Sequence, residues 1–318
     1  MECTGQNSPQ GNHTTLMEFI LIGFSDVPNL QGFLFGIFLL IYLFILMGNN
    51  LIIMVIKVDP SLQTPMYFFL TNFSLLEIFY VSVTVPRLLL DLCRQYGNIS
   101  LLACAIQMFL FLILADTECF ILTAMAYDRY VAICNPLLYP VIMNDRLCIQ
   151  LAAVCWTTAI PIHTMFISVL FSSTFCGCNQ LNHFFCDAPP VVQLVCGDVF
   201  RIKMLLYMIS TLVVSIPSFL IVASYVKIIS TILKLPSATG RAKAFSTCCS
   251  HLTVVTLFFG SGIVVYFKSM TSHFTGVDKF LSLFYTIFIP MLNPIIYCLR
   301  NKDVMVALEK FLQKWIFL

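Results

Sequence analysis

Residues 125–134 read MAYDRYVAIC. The Asp128-Arg129-Tyr130 triplet inside this stretch lies where a long apolar run gives way to polar sequence. Upstream, residues 101–126 are apolar apart from a few polar residues of the kind that are buried. Downstream, Asn135-Pro136 stops a helix, because proline has no N–H to donate and biases its predecessor away from helical geometry. An acid next to an arginine at the end of a membrane span is able to hold that arginine in a latch, whose release frees a rigid cation for a partner. The bland alternative is an interfacial charge pair snorkelling to water. The remainder of the chain bears on that choice.

The 318 residues are 59% hydrophobic and 10% charged, with a mean hydropathy of +0.93. A soluble domain carries roughly 25% charged residues, so the composition is that of an integral membrane protein. A net charge of +2, without a basic run interleaved with aromatics, gives no sign of a nucleic-acid partner. The first 26 residues hold no Lys or Arg and no apolar core, so a cleavable signal peptide is not expected and the first span targets the chain. The 14 cysteines show no zinc-type spacing.

Hydropathy predicts seven helices of about 20 residues or more, the length that crosses a ~30 Å hydrocarbon core. The expected spans are 30–56, 65–90, 102–133, 147–171, 201–232, 244–267 and 280–299. Residues 1–29 form a tail, 30–299 the membrane domain and 300–318 a second tail. The fold class is therefore an all-α membrane protein, a seven-transmembrane helix bundle. Backbone in lipid must satisfy its own hydrogen bonds, and no alternating β-barrel pattern is present. No internal repeat is evident, which argues against an inverted-repeat transporter.

The 17 Lys and Arg residues divide unevenly between the two sides. Six (Arg87, Arg94, Arg201, Lys203, Lys268 and Lys279) fall on one side and the other eleven on the opposite side. The positive-inside rule then places the amino terminus outside and the carboxyl terminus inside. Asn12-His13-Thr14 becomes a usable glycosylation sequon at Asn12. Two acids, Glu77 and Glu118, lie about halfway across their spans at ~1.5 Å per residue. A carboxylate there is costly, so it is protonated, paired or bound to a cation. Asp116 points about 160° away from Glu118 on the helical wheel. It either contacts a ligand or pairs with His163, which sits at comparable depth in span 4, and the two roles are compatible.

Seven spans in this orientation, with Asp-Arg-Tyr at the inner end of the third, resemble a rhodopsin-like G protein-coupled receptor. Further motifs narrow the resemblance. Residues 62–70, LQTPMYFFL, resemble the LHTPMYFFL signature of olfactory receptors, with Gln63 in place of the usual histidine. MAYDRYVAIC matches that family in full, as do Lys243-Ala244-Phe245-Ser246-Thr247-Cys248 followed by Ser250-His251-Leu252, and Pro290-Met291-Leu292-Asn293-Pro294-Ile295-Ile296-Tyr297. The chain is identified by these motifs as a member of the tetrapod-type (class II) olfactory receptors, over about residues 12–302.

The resemblance implies two disulfides on the outer side, Cys104–Cys186 and Cys176–Cys196, with Cys178 left over. It implies an allosteric sodium ion as the one small cofactor, held by Glu77 and Glu118 with Asn49 and Asn293. The competing reading of the same cluster is two neutral, hydrogen-bonded carboxylic acids. It implies a ligand cavity lined by Met108, Phe111, Leu112 and Ala115 of span 3, by Met204, Tyr207, Met208 and Thr211 of span 5, by Phe259, Ser261, Gly262 and Tyr266 of span 6, and by Phe284 and Tyr285 of span 7; Asp116, where family members more often carry a small residue, is a further candidate from its own position. Apolar walls with a few hydroxyls suit a small, mostly hydrophobic volatile molecule. The same side chains also serve as ordinary packing. Phe259 departs from the tyrosine common at its place in the family.

At the inner side, the implied switch consists of Asp128, Arg129, Tyr130, Tyr225, Lys243, Asn293, Pro294 and Tyr297. Pro294 allows span 7 to bend, and the partner is a stimulatory olfactory-type G protein that raises cyclic AMP. Residues 303–315 read as a short amphipathic helix on the membrane lipid. The expected location is the plasma membrane. The expected alternatives are the same fold sensing a metabolite outside the olfactory epithelium and, from a different class, a transporter. An enzyme is not expected, since no nucleophile and base stand in register. Counting back from Arg129, the place of the aspartate of amine receptors is Phe111, and no lysine lies in the core of span 7 to bind retinal.

Overall fold

A computed structural model describes residues 18–316 apart from 26–27, 95–96, 177–178, 235 and 272–275. The Asn12 sequon and Cys178 lie outside the described residues, as do the side chains of Lys243 and Tyr266. The helices are α1 (Gln31–Val58), α2 (Pro65–Cys93), α3 (Leu101–Cys134), a single turn α4 (Tyr139–Ile142), α5 (Asp145–Thr157), α6 (Ala159–Phe171), a short α7 (Ala188–Val192), α8 (Val199–Leu233), α9 (Ala238–Thr271), α10 (Gly276–Leu283), α11 (Ile289–Arg300) and α12 (Lys302–Ile316). Six segments are long and apolar enough to cross a membrane, and α9 adds a shorter apolar stretch, Cys248–Val264.

Local chemistry fixes the helix starts. Pro65 opens α2 in the first turn, where a missing N–H costs nothing. Ser100, Asn144 and Asp198 cap α3, α5 and α8 by accepting hydrogen bonds from Ala103, Leu147 and Arg201 N–H at 3.2, 2.9 and 3.1 Å. The expected fourth span, 147–171, is instead two helices, α5 and α6, that part at Thr158. Pro161 has no N–H to offer the carbonyl one turn back, so the ladder breaks there. The expected seventh span is likewise divided, with a π-helical turn, Phe284–Phe288, between α10 and α11.

Helix α3 is the axis of the bundle. It packs on α2, α6, α8 and α9, and 67% of its most apolar window is buried, against 11% for α1. This explains why α3 tolerates Asp116 and Glu118, which face protein rather than lipid. Close approach matters at Gly48 of α1, where an added Cβ would lie 3.1 Å from the ring of Pro294 in α11.

A small sheet closes the end of the bundle that carries the α3 amino terminus, hereafter the loop end. Strand β1 (Glu18–Leu21) lies between β2 (Gly97–Ser100) and β3 (Gln180–Leu181), antiparallel to the first and parallel to the second. Phe19 at its centre is fully buried. The segment after β1 is tied to α10, where buried Lys279 donates to the Gly23 carbonyl and its ammonium lies 5.7 Å from the Phe24 ring centroid. The chain thus spends its amino-terminal segment on a roof over α2, α3 and α10.

Candidate functional site

Four neighbouring helices create a cavity in the half of the bundle nearer the loop end. Leu112, Ala115, Asp116 and Cys119 recur at helical spacing on one face of α3, opposite His163 and Phe166 of α6. Helix α8 contributes Leu206, Ile209, Ser210, Val213 and Val214, and α9 adds Phe258, Phe259 and Gly262. The chamber measures about 60 Å³. Its only ionisable pair among the described residues is Asp116 and His163, with Nε2 and Oδ2 2.6 Å apart. Both are buried, and His163 Nδ1 has no hydrogen-bond partner. The pair expected from the sequence is formed, and it also lines the chamber.

A second cavity, of about 300 Å³, lies between α8 and α9 beneath α7. It is lined by Tyr207, Thr211 and Gly262 among others. Of the remaining expected cavity residues, Met108 is buried, Phe111 packs against the roof and Ser261 donates to its own helix at the Phe258 carbonyl, 2.9 Å. Met204 and Met208 are 39% and 52% exposed and line neither cavity, which corrects their expected place. Helix α8 is apolar over most of its surface, with Ser210, Thr211, Ser215 and Ser218 on the flank that lines the larger cavity. Phe284 is also exposed and outside both cavities.

The roof is pinned to the bundle at several points. Disulfides join Cys104 to Cys186 and Cys176 to Cys196. Cys186 N–H donates to Gln107 Oε1 at 3.0 Å, and Gln107 Nε2 donates to the Val83 carbonyl at 2.9 Å. The Phe185 ring packs on Phe111 at 4.8 Å, and Phe111 on Tyr285 at 6.3 Å. Tyr285 donates through its hydroxyl to Asp187 Oδ2 at 2.9 Å, while Asp187 Oδ1 caps α7 at Ala188 N–H, 2.8 Å. The sequence reading passed over Asp187. An Asp followed by Ala-Pro-Pro is a helix-start signal that marks it.

Burial pushes the Asp187 carboxyl up to about 6 from an ordinary 3.8, against the pull of its hydrogen bonds from Tyr285 and Ala188. An acid whose pKa is higher in the docked loop than in the released loop stabilises docking fully below 3.8. That contribution is lost as pH rises through about 6. The total is ~3 kcal/mol, of which roughly 1–2 kcal/mol falls between pH 5 and 7.5. Thermal melting is therefore expected to show a component favouring pH 5 over pH 7.5 that Asp187→Asn removes. An unchanged pH dependence in that variant would show that the carboxyl does not titrate in the loop.

The opposite end of the bundle carries the Asp128-Arg129-Tyr130 triplet. No Asp128–Arg129 ion pair exists among the described residues, where the two pairs are Arg87–Asp91 and Asp116–His163. Asp128 instead accepts from the Tyr139 hydroxyl at 2.8 Å, and Arg129 Nη2 donates to Met66 Sδ. The expected latch between neighbours is thus replaced by ties to α4 and α2. Consecutive helical residues sit ~100° apart and do not face each other.

His251 of α9 closes this end more firmly. Its Nε2 is 3.0 Å from the Leu122 carbonyl of α3, which only accepts, so Nε2 carries the proton. Nδ1 then accepts from the Tyr225 hydroxyl of α8 at 2.8 Å. One imidazole therefore joins α3, α8 and α9. Tyr297 is buried edge-on against Phe73, at 5.7 Å, with no partner for its hydroxyl.

Between these two sites lies the acid cluster. Asn293 Nδ2 donates to Glu77 Oε1 at 2.5 Å, and Glu118 is within electrostatic reach of Glu77. Glu77 Oε2, Glu118 Oε1, Asn293 Oδ1 and Ser74 Oγ are buried oxygens without a hydrogen-bond partner. Orphaned hard oxygens of this kind fit a small hard cation and do not suit a thiophilic metal. Asn49, also expected here, turns its amide to the Ile45 carbonyl of its own helix at 3.0 Å.

An apolar bundle of this length, with a roofed chamber at one end and an Asp-Arg-Tyr triplet at the other, has the build of a G protein-coupled receptor. A family model described as olfactory receptor matches residues 38–314. Human olfactory receptor 10AG1 is 58% identical over 298 residues, covering 94% of this chain and 99% of the relative. Human olfactory receptor 10A5 is 51% identical over 96% of each chain. Mouse olfactory receptor 5AP2 is 44% identical over 98% of this chain and 99% of the relative. The chain belongs to the olfactory receptor family. It is a multi-pass plasma-membrane protein of a family of odorant-binding, G protein-coupled receptors rather than enzymes.

Proposed function

We propose that this receptor binds a small, mostly hydrophobic odorant in the Asp116–His163 chamber and activates a stimulatory, olfactory-type G protein, raising cyclic AMP. The observation that carries the ligand reading is the buried His163 Nδ1, which lacks a partner in a cavity with otherwise mainly apolar walls. A polar atom in that state costs free energy until something bonds to it. A ligand with one hydrogen-bonding group and an apolar body answers both features of the chamber. The amino terminus lies outside the cell and the Arg129 end faces the cytoplasm, in keeping with the distribution of Lys and Arg.

Ligand shifts a population between a closed and an open form of the Arg129 end. In the closed form His251 holds α9 to α3 and α8. In the open form α9 moves away, Tyr225 and Tyr297 turn toward Arg129, and a cleft admits the G protein. Asp128, Tyr130 and Lys243 border that cleft, and the Asn293-Pro294 step supplies the bend. Glu77, Glu118 and Asn293 hold a sodium ion in the closed form, where it neutralises the buried acids. Helix α12 lies along the membrane lipid, with Val304 and Ala307 turned to the bundle.

The test is a cyclic-AMP reporter assay of surface-expressed receptor against a diverse odorant panel, with Asp116→Asn beside the wild type. Asp116→Asn is expected to change the rank order of active odorants and to reduce potency for the best of them by roughly tenfold, the size of one lost charge-assisted hydrogen bond. An unaltered rank order with a lowered surface level would restrict Asp116 to a structural pair. A wild type at full surface level that answers no odorant would remove the ligand and G-protein reading.

A further inference from the structure

The two cavities are neighbours that share part of their lining. The chamber of about 60 Å³ and the cavity of about 300 Å³ share Leu206, Ser210, Val214 and Gly262. Above the chamber the described roof residues are tightly packed, while Gln193 and Lys203 are exposed where the larger cavity meets the loop end. Phe185, Cys186, Ala188 and Val191 are all 0% exposed, and Cys186 is covalently tied to α3. Sideways, the wall is open. A Cβ added at Gly262 would meet nothing within 4 Å. Thr211, Ser215 and Ile263 are exposed at the lip, on flanks of α8 and α9 that lie within the expected bilayer.

The lip, though mainly apolar, also carries a row of hydroxyls. Polar side chains within a span belong on a bundle interior or along a pathway. Here Ser210, Thr211, Ser215 and Ser218 follow one flank of α8 into the cavity, and Ser218 Oγ is buried without a partner. The source of the ligand points the same way. At ~0.8 kcal/mol per buried CH₂, a five-carbon chain is concentrated in the bilayer by roughly a thousandfold.

We propose that the cleft between α8 and α9 is a lateral entrance, gated at Gly262, through which slender, uncharged ligands dissolved in the outer membrane leaflet reach the Asp116–His163 chamber. The proposal rests on the chamber being the ligand site. It adds a selection that the chamber alone does not impose: a charged molecule, which does not partition into lipid, is refused before recognition begins. Branched or bulky bodies are refused at the gate.

The protein carries its own reporters. Cys119 is a free thiol lining the chamber, and Cys93 is a free, exposed thiol at the loop end. Purified receptor in phosphatidylcholine nanodiscs is treated with N-hexylmaleimide or with a sulfonated, membrane-impermeant maleimide, and labelling of each cysteine is timed by peptide mass spectrometry. The hexyl reagent is expected to label Cys119, at least tenfold more slowly in Gly262→Leu. The sulfonated reagent is expected to label Cys93 and spare Cys119. Ser215→Phe, placed at the exposed lip where folding is unaffected, is expected to slow Cys119 labelling in the same direction.

Equal Cys119 rates in wild type and both variants would overturn the proposal. So would sulfonated reagent reaching Cys119 as fast as hexyl reagent, or Cys119 staying unlabelled by hexyl reagent while Cys93 reacts fully. None of these readouts uses an odorant or a G protein, so the entrance and the signalling role fail separately.

Discussion

Cys104→Ser is expected to remove nearly all receptor from the cell surface, and Cys186→Ser to do the same. The bond closes a sequence separation of 82 residues, and on a chain-entropy basis a loop of that size is worth about 4–5 kcal/mol. Whole domains are stable by only ~5–15 kcal/mol. Cys186 also presents its N–H to Gln107 and precedes Asp187, so its release frees the Phe185 plug and the Tyr285 tie together. The double variant Cys104→Ser/Cys186→Ser is expected to be no worse than either single one, because each alone already breaks the bond. Flow cytometry of epitope-tagged receptor reads the result, with Cys119→Ser as a variant whose free thiol makes no covalent tie. A normal surface level in Cys104→Ser would mean that the noncovalent contacts suffice to hold the roof.

His251→Phe is expected to raise basal signalling at an unchanged surface level. The substitution keeps a ring in the site and deletes both hydrogen bonds of the imidazole, leaving the Leu122 carbonyl and the Tyr225 hydroxyl buried without it. Two bonds at about 1 kcal/mol each destabilise the closed form by ~2 kcal/mol, or a roughly 30-fold shift in the closed-to-open ratio. A receptor that is about 1% open at rest would become about one-quarter open. Tyr225→Phe removes one of the two bonds and is expected to give a smaller rise. Basal cyclic AMP in cells with matched surface levels distinguishes the outcomes. A fall in basal activity in His251→Phe would show that the imidazole serves the open form instead.

Much of this architecture is legible in the sequence because lipid imposes it. A span needs a fixed length of apolar residues, and each expected span falls on helical sequence, although the fourth and seventh are divided and only Cys248–Val264 of α9 is apolar enough to count. The Asp116–His163 pair was legible for a related reason, since a buried acid in lipid needs a partner and His163 stood at matching depth. Features that depend on contacts between distant segments were not legible. Strands of four, four and two residues carry too little pattern to announce a sheet, and β1 finds its partners 80 and 160 residues away. Asp187 was hidden by its loop, where a cap signal reveals the helix turn but not the tyrosine across the roof. Met204 and Met208 lie exposed on α8, which its mostly apolar sequence does not single out.

The division of labour along α3 follows from its burial. Its loop-end half presents Asp116 to the chamber, its middle presents Glu118 to the acid cluster, and its far end presents Arg129. Glu118 and Arg129 are eleven residues apart, about three turns, and so share a face, while Asp116 is on another. On the proposed function, ligand recognition and switching sit on different sides of one helix, and a change in how α8 and α9 pack against it would reach both.

Nucleotide exchange on a purified stimulatory G protein, catalysed by the purified receptor in nanodiscs, tests the central claim most directly. An odorant that raises cyclic AMP in cells is expected to accelerate exchange with wild-type receptor and to leave exchange at the receptor-free rate with Arg129→Ala, although that variant keeps its fold and surface level. Odorant-stimulated exchange that persists in Arg129→Ala, or no stimulation by the wild type with any active odorant, would contradict the account.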